Sequence, residues 1–378
     1  MMQWRAGTVV AQRRSWPGAV ELAVTLDGRP GEDGDAASVQ VRALAYTAMV
    51  GVPAKGERVL LNASALLRGL GTGGLAFVVA RPDALPADPE PGVGHIVKAR
   101  YTPLQQMLLA VDEQDSPHHR VLAEADDLAG LPVVVADLHS ALPAVLAGVR
   151  HVAPGATVAY VMTDGGALPA AFSRAVAGLT EAGWLAATLT VGQAFGGDHE
   201  AVTTHTGLLA ARHVVGADVV VVAQGPGNVG TGTRWGYSGV ACADALHAAD
   251  VLGGHGIASL RVSGTDRRER HLGISHHSRT AYGRALLTPA DVPVTALPDA
   301  GLDALVRRQV ADLLASARAT LTAVEVPSDG LLEALATSPV PLTTMGRGLE
   351  EDPAPFLAAA AAGAHAAACI DPVLSARP

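Results

Sequence analysis

Three imidazoles and two guanidinium groups fall within one short stretch, Arg270-His271-Leu272-Gly273-Ile274-Ser275-His276-His277-Ser278-Arg279. Histidine titrates near neutral pH and is the usual general acid or base. His271, His276 and His277 are therefore the candidate acid–base groups, with Arg279 beside them to hold a ligand. The plainer alternative is a capped helix start carrying surface histidines. Asp198-His199-Glu200 and His205 form a second polar cluster, and Asp164 or Asp198 would orient the base. Asp164-Gly165-Gly166 closes an apolar run and precedes a helical one, where a carboxylate is ordinarily an N-cap. His139-Ser140 carries the same two readings. No His-Glu-x-x-His or paired Cys-x-x-Cys occurs, and the spacing of His199, Glu200 and His205 is wrong for one helix face, so no metal site is expected.

A glycine-rich segment is the second candidate. In Gln224-Gly225-Pro226-Gly227-Asn228-Val229-Gly230-Thr231-Gly232-Thr233, three glycines match G-x-G-x-x-G between a strand-like and a helix-like run. Backbone N–H groups in such a loop can hold phosphate at a helix N-terminus. Gly225, Gly227, Asn228, Gly230, Thr231 and Thr233 are the expected ligand-binding residues, with His139. Pro226 removes one N–H, and no acidic residue ends the next strand at the ribose position, so a structural turn is the competing reading. The loop is not a Walker motif, and no G-x-S-x-G elbow is present. The chain has only two lysines, Lys55 and Lys98. Lys98 lies in a basic stretch with His95 and Arg100 that could face a cleft or form a plain edge strand. Arg347 stands between two glycines and could clamp an anion, but an acidic helix start is the preferred reading there.

These residues need elements to position them. Up to about residue 100, short apolar runs (GTVVAQ, AVELAVTL, ASVQVRALAY, ERVLLN, GLAFVVA, GHIVKA) alternate with Gly, Pro and Asp clusters, which predicts a small barrel or sandwich. GRPGEDGD at 28–35 predicts a loop, and the Pro-rich 81–94 stretch an excursion or boundary. PLQQMLLAVDEQ predicts a helix ending near Pro117. From residue 131, the valine-rich runs PVVVADL, TVAYVM, AATLTV, VVVVAQ and IASLRV alternate with helical stretches. Apolar on both faces, they read as strands of a buried parallel sheet. The fold class is therefore α/β, with a β-rich domain over 1–100 and a doubly wound domain over 101–378. The tail from about 300 reads as helical throughout. Ligands of such sheets bind outside the carboxyl ends of the strands, where the histidine and glycine segments fall.

Composition narrows the function. A net charge of -9 disfavours nucleic-acid binding. Cys242 and Cys369 cannot make a disulfide framework and read as small buried hydrophobes. No signal peptide, membrane span or lipid motif is legible, so a cytoplasmic protein without a membrane partner is expected. The chain resembles a bacterial family catalogued only as a domain of unknown function. The resemblance runs nearly the whole length and rests on ERVLLNASALLRGLGTGGLAFVV, GHIVKARYTPLQ, VGQAFGGDHEAV, GPGNVGTGTRWG, RERHLGISHHSRTA and MGRGLEEDPAPFLAAAAAGAHAA. It carries over no functional assignment, so activity, substrate and cofactor stay open. The leading expectation is an enzyme acting on a small anionic, phosphorylated or nucleotide-like metabolite. The alternatives are a binding or sensory protein, and a structural homo-oligomer, most simply a dimer, built on the alanine-rich terminal helix.

Overall fold

The computed structural model describes residues 2–27, 39–71, 73–88 and 92–371. The loop expected at 28–35 lies outside them. The chain divides into two compact units. The first runs to Val93 and includes Ala99–Gln106; the second comprises Gly94–Lys98 and everything from Met107.

The first unit is a closed barrel of β1 (Trp4–Trp16), β2 (Ala19–Leu26), β3 (Gln40–Tyr46), β4 (Arg58–Asn62) and β5 (Ala76–Ala80), in the order β1-β2-β3-β5-β4. The barrel closes because β1 pairs antiparallel with both β2 and β4, and irregularities between Val9 and Ala11 and between Gln12 and Ser15 bend it. Val9, Leu22, Val24, Leu61 and Val78 fill its interior.

The second unit is built on eight parallel strands: β6 (Pro132–Ala136), β7 (Val158–Thr163), β8 (Ala187–Thr190), β9 (His199–Glu200), β10 (Val219–Gln224), β11 (His255–Ala258), β12 (Ala290–Val294) and β13 (Leu321–Glu325). Their order is β9-β8-β7-β10-β6-β11-β12-β13. The central strands are wholly buried, as their unbroken valine runs require. From β6 the chain winds one way through β7, β8 and β9. From β10, beside β6, it winds the other way through β11, β12 and β13. Their carboxyl ends form the topological switch point, where this class of sheet opens a crevice.

The sequence reading needs three corrections. The expected helix at PLQQMLLAVDEQ is absent: Gln106–Leu108 is extended and turns follow. The tail from about 300 is not all helical, because β13 completes the sheet there, next to β12, a strand just before the tail that the sequence reading did not contain. Pro293 and the exposed edge pattern of β13 disguised them. Third, the alanine-rich helix is not a free surface for a partner subunit. Among the helices α1 (Leu142–Val152), α2 (Arg174–Glu181), α3 (Thr204–Ala210), α4 (Cys242–Val251), α5 (His276–Thr280), α6 (Ala300–Ser316), α7 (Leu331–Ala336) and α8 (Ala354–Ala368), α8 is the most enclosed. It packs on α1 at glycine contacts: a Cβ on Gly148 would lie 1.9 Å from Ala360 O, and one on Gly363 1.9 Å from Val145 O. Among the described residues no helix is long and apolar enough to cross a membrane.

Candidate functional site

A cleft of about 360 Å³ opens at the switch point. Leu138, His139 and Ser140 after β6 line it, with Pro226, Gly227, Asn228, Gly230 and Gly232 after β10. Arg261, Arg268, Arg270, His271, His276 and His277 after β11 form the third wall. A small hairpin, Thr343–Thr344 with Arg347–Gly348, covers one side. Its tip residue Met345 lines the cleft with a positive φ of 50°, an uncommon conformation for a side chain of that size.

The three histidines meet. Ring centroids are 4.9 Å apart for His271 and His276, 5.2 Å for His271 and His277, and 4.4 Å for His276 and His277. A two-stranded ribbon, Val262–Ser263 with Gly273–Ile274, brings His271 back beside α5. Ser275 caps α5 by accepting from His277 N at 3.2 Å, and the same hydroxyl lies 2.8 Å from His271 Nδ1. The His277 ring stacks on Tyr237 at 3.8 Å, and the Tyr237 hydroxyl donates to His277 O. His277 Nδ1 faces Asp137 Oδ2 at 3.3 Å, Arg261 at 3.1 Å and Asn228 Nδ2 at 3.4 Å. His276 Nε2 is buried and has no hydrogen-bond partner among the described residues. Burial pulls His271 down to about 3, reinforced by Arg261 and Arg268, and pulls His276 down to about 4, reinforced by His277 and Arg270. Both imidazoles are uncharged at neutral pH. The nitrogen ligand atoms of all three residues lie within 4.8 Å of one another, close enough to share a cation.

Charge around them is largely paired. Arg261 sits 3.5 Å from Asp137, and Arg268 binds Asp266 through two nitrogens, at 2.9 and 2.8 Å. Hydrogen bonding from Arg268 holds the Asp266 carboxyl far below its ordinary range. Arg347 lies 3.7 Å from Asp266 and 3.6 Å from the buried Asp352. Asp352 accepts from Ser263, Gly264 and Thr265, so the expected acidic helix start at 350–352 in fact anchors the ribbon. Arg270 is exposed on the cleft wall over Gly232; its Nε–H donates to His271 Nε2 at 3.4 Å, and no described carboxylate pairs with it.

The remaining expected residues are distributed as follows. Gly225 is buried, and a Cβ there would lie 2.2 Å from Ala167 O, so its lack of a side chain serves packing. The helix after the glycine loop begins only at Cys242, after a turn at Ser238–Ala241, so the glycines do not sit at its N-terminus. The Thr231 and Thr233 hydroxyls bond each other within the exposed loop. Asp164 is not a helix N-cap; it accepts from Gln193 N at 2.9 Å, and Ser173 caps α2. Asp198 accepts from Thr188 N and stands apart from the histidines. Arg279 is exposed on α5, outside the cleft lining. His139 is saturated: Nδ1 meets the Tyr160 hydroxyl at 3.1 Å and Nε2 the Ser173 hydroxyl at 2.7 Å, and burial pulls the ring down to about 4. Lys98 is buried, donating to Thr190 O, Ala194 O and Glu200 Oε2 at 2.7–2.8 Å. It lies outside the cleft lining. Burial pulls its ammonium down and Glu200 opposes this.

Sequence reasoning placed Asp137 at a strand end of the expected site and Arg270 in the histidine segment without assigning either a role, and it gave Arg261 and Arg268 no place in the site. At the opposite, amino end of the sheet, His255 and His365 lie 2.8 and 2.7 Å from the same Asp291 oxygen. Cys369 Sγ lies 3.8 Å from His365 Nε2. This second cluster ties α8 to β11 and β12.

The profile of a family described as Protein of unknown function (DUF3866) matches residues 42–363, and the chain belongs to that family. No curated protein and no solved structure matches the chain.

Proposed function

Because membership of that family brings no activity with it, we propose from the site itself that the protein is an enzyme acting on a small anionic substrate in the switch-point cleft. The observation that carries this reading is the Arg270 guanidinium, which has no carboxylate partner among the described residues and reaches only His271 Nε2 at 3.4 Å, beside three imidazoles, two of them held uncharged. Arginine binds carboxylate and phosphate through two parallel hydrogen bonds. Arg270 holds the anion, Asn228 adds an amide contact, and the histidine cluster supplies the nitrogen bases at the reacting end. The glycine loop serves as a wall of the cleft. Two cysteines that stay free accord with a cytoplasmic setting.

The test is a thermal-shift screen against phosphorylated metabolites, nucleotides and organic acids, repeated with Arg270→Ala. A ligand at 100 times its Kd adds about 2.7 kcal/mol, which a melting curve resolves. An anionic compound should raise the Tm of the native protein and lose that effect in Arg270→Ala. A screen without an anionic hit, or a hit that is unchanged in the variant, overturns the proposal. With a hit in hand, His277→Gln should keep binding and lose turnover. If the native protein turns nothing over, the cleft is that of a binding protein.

A further inference from the structure

We infer that His271, His276 and His277 form a three-nitrogen centre for a divalent ion of the zinc class, with its open coordination position facing the anion subsite. The inference rests on the proposed function for what that position is used for, but not for the site. Three independent features converge. The three ligand atoms lie within 4.8 Å of one another. Zinc–nitrogen bonds of about 2.0–2.1 Å would bring them roughly an ångström closer, within reach of side-chain rotation. His276 Nε2 is buried and has no hydrogen-bond partner among the described residues, which a native fold rarely tolerates. The other nitrogens are already arranged as a metal site arranges them. His271 Nδ1 is engaged by Ser275 and His277 Nδ1 faces Asp137, so Nε2 is the ligand atom of each, and the exposed Arg270 Nε–H that reaches His271 Nε2 at 3.4 Å would turn from it when an ion binds. A carboxylate behind a ligating histidine fixes its ring and raises its basicity.

The neighbouring arginines do not forbid a cation. Arg261 and Arg268 face Asp137 and Asp266, and of the three Arg270 alone has no carboxylate among the described residues. Three neutral protein ligands leave a fourth position for water or a substrate oxygen, the composition of a catalytic rather than a structural zinc site. An ion there and Arg270 beside it would grip two oxygens of one phosphate or carboxylate.

The test uses full-length protein stripped with a chelator, then titrated with Zn²⁺ by calorimetry and with Co²⁺ in the visible region. His255, His365 and Cys369 are the competing cluster, so Cys369→Ser is the control. The expected result is one tight ion in native protein and in Cys369→Ser, with a four-coordinate cobalt spectrum lacking any thiolate charge-transfer band. His276→Ala should lose that ion while its metal-free melting curve stays near native. Asp137→Asn should weaken binding about 10–100-fold. No tight ion, equal binding by His276→Ala, or an ion lost in Cys369→Ser overturns the inference. Anionic-ligand binding measured in chelator is a separate readout: if it persists while metal binding fails, the proposed function stands without its ion.

Discussion

His139 sits in the cleft wall yet is built to stay neutral. Tyr160 donates its only hydroxyl proton toward Ala223 O and Gln224 O, so its oxygen accepts from His139 Nδ1–H. His139 Nε2 then accepts from Ser173, and a second proton on the ring would force the Ser173 hydroxyl to turn its own proton away. Burial accordingly lowers this histidine to about 4, below its ordinary value near 6.5. The folded state therefore binds fewer protons than the unfolded state in that window. The stability His139 contributes is present above about pH 6.5 and is lost as pH falls toward 4, by roughly 3 kcal/mol at most. His139→Gln keeps one donor and one acceptor but cannot titrate. Urea denaturation at pH 7 and pH 5 should show a smaller loss for the variant than for the native chain. Equal losses would mean that the ring is not held neutral.

At the scale of elements, the central sheet was legible because both-face burial writes itself as valine runs, and the barrel because its strands alternate between turn clusters. β12 and β13 were not legible: one carries Pro293, and the other is an edge strand with polar faces. The histidine segment was found by composition, since imidazoles that close are conspicuous in any fold. The placing of Asp137, Arg261 and Arg268 around that segment was not, because it depends on strand order, which local pattern does not encode. The same limit concealed the contact of α1 with α8. Glycine there lets two helix backbones nearly touch, so Gly148→Ala or Gly363→Ala overpacks against a carbonyl that cannot yield. Each should cost about 3 kcal/mol. Chemical denaturation measures it, and a cost under about 1 kcal/mol would show that the helices can separate without penalty.

Across the whole molecule, the barrel and the sheet each have their own hydrophobic core. Every residue lining the cleft belongs to the second unit. Ligand or metal should therefore slow amide exchange in the segments after β6, β10 and β11 and in the 343–348 hairpin, and leave residues 2–27 and 39–88 unchanged. Hydrogen exchange with mass spectrometry reads this directly. Protection appearing in the barrel would mean that the barrel is part of the ligand response.

The seating of α8 against α1 also has a consequence for biosynthesis. The barrel strands are all made within the first eighty residues, whereas the surface of α1 is covered only when a helix more than two hundred residues downstream arrives. At ordinary elongation rates that interval is roughly 10–40 s. For that time the nascent chain carries an uncovered apolar face on the ribosome, and anything that shields such faces has its longest opportunity there.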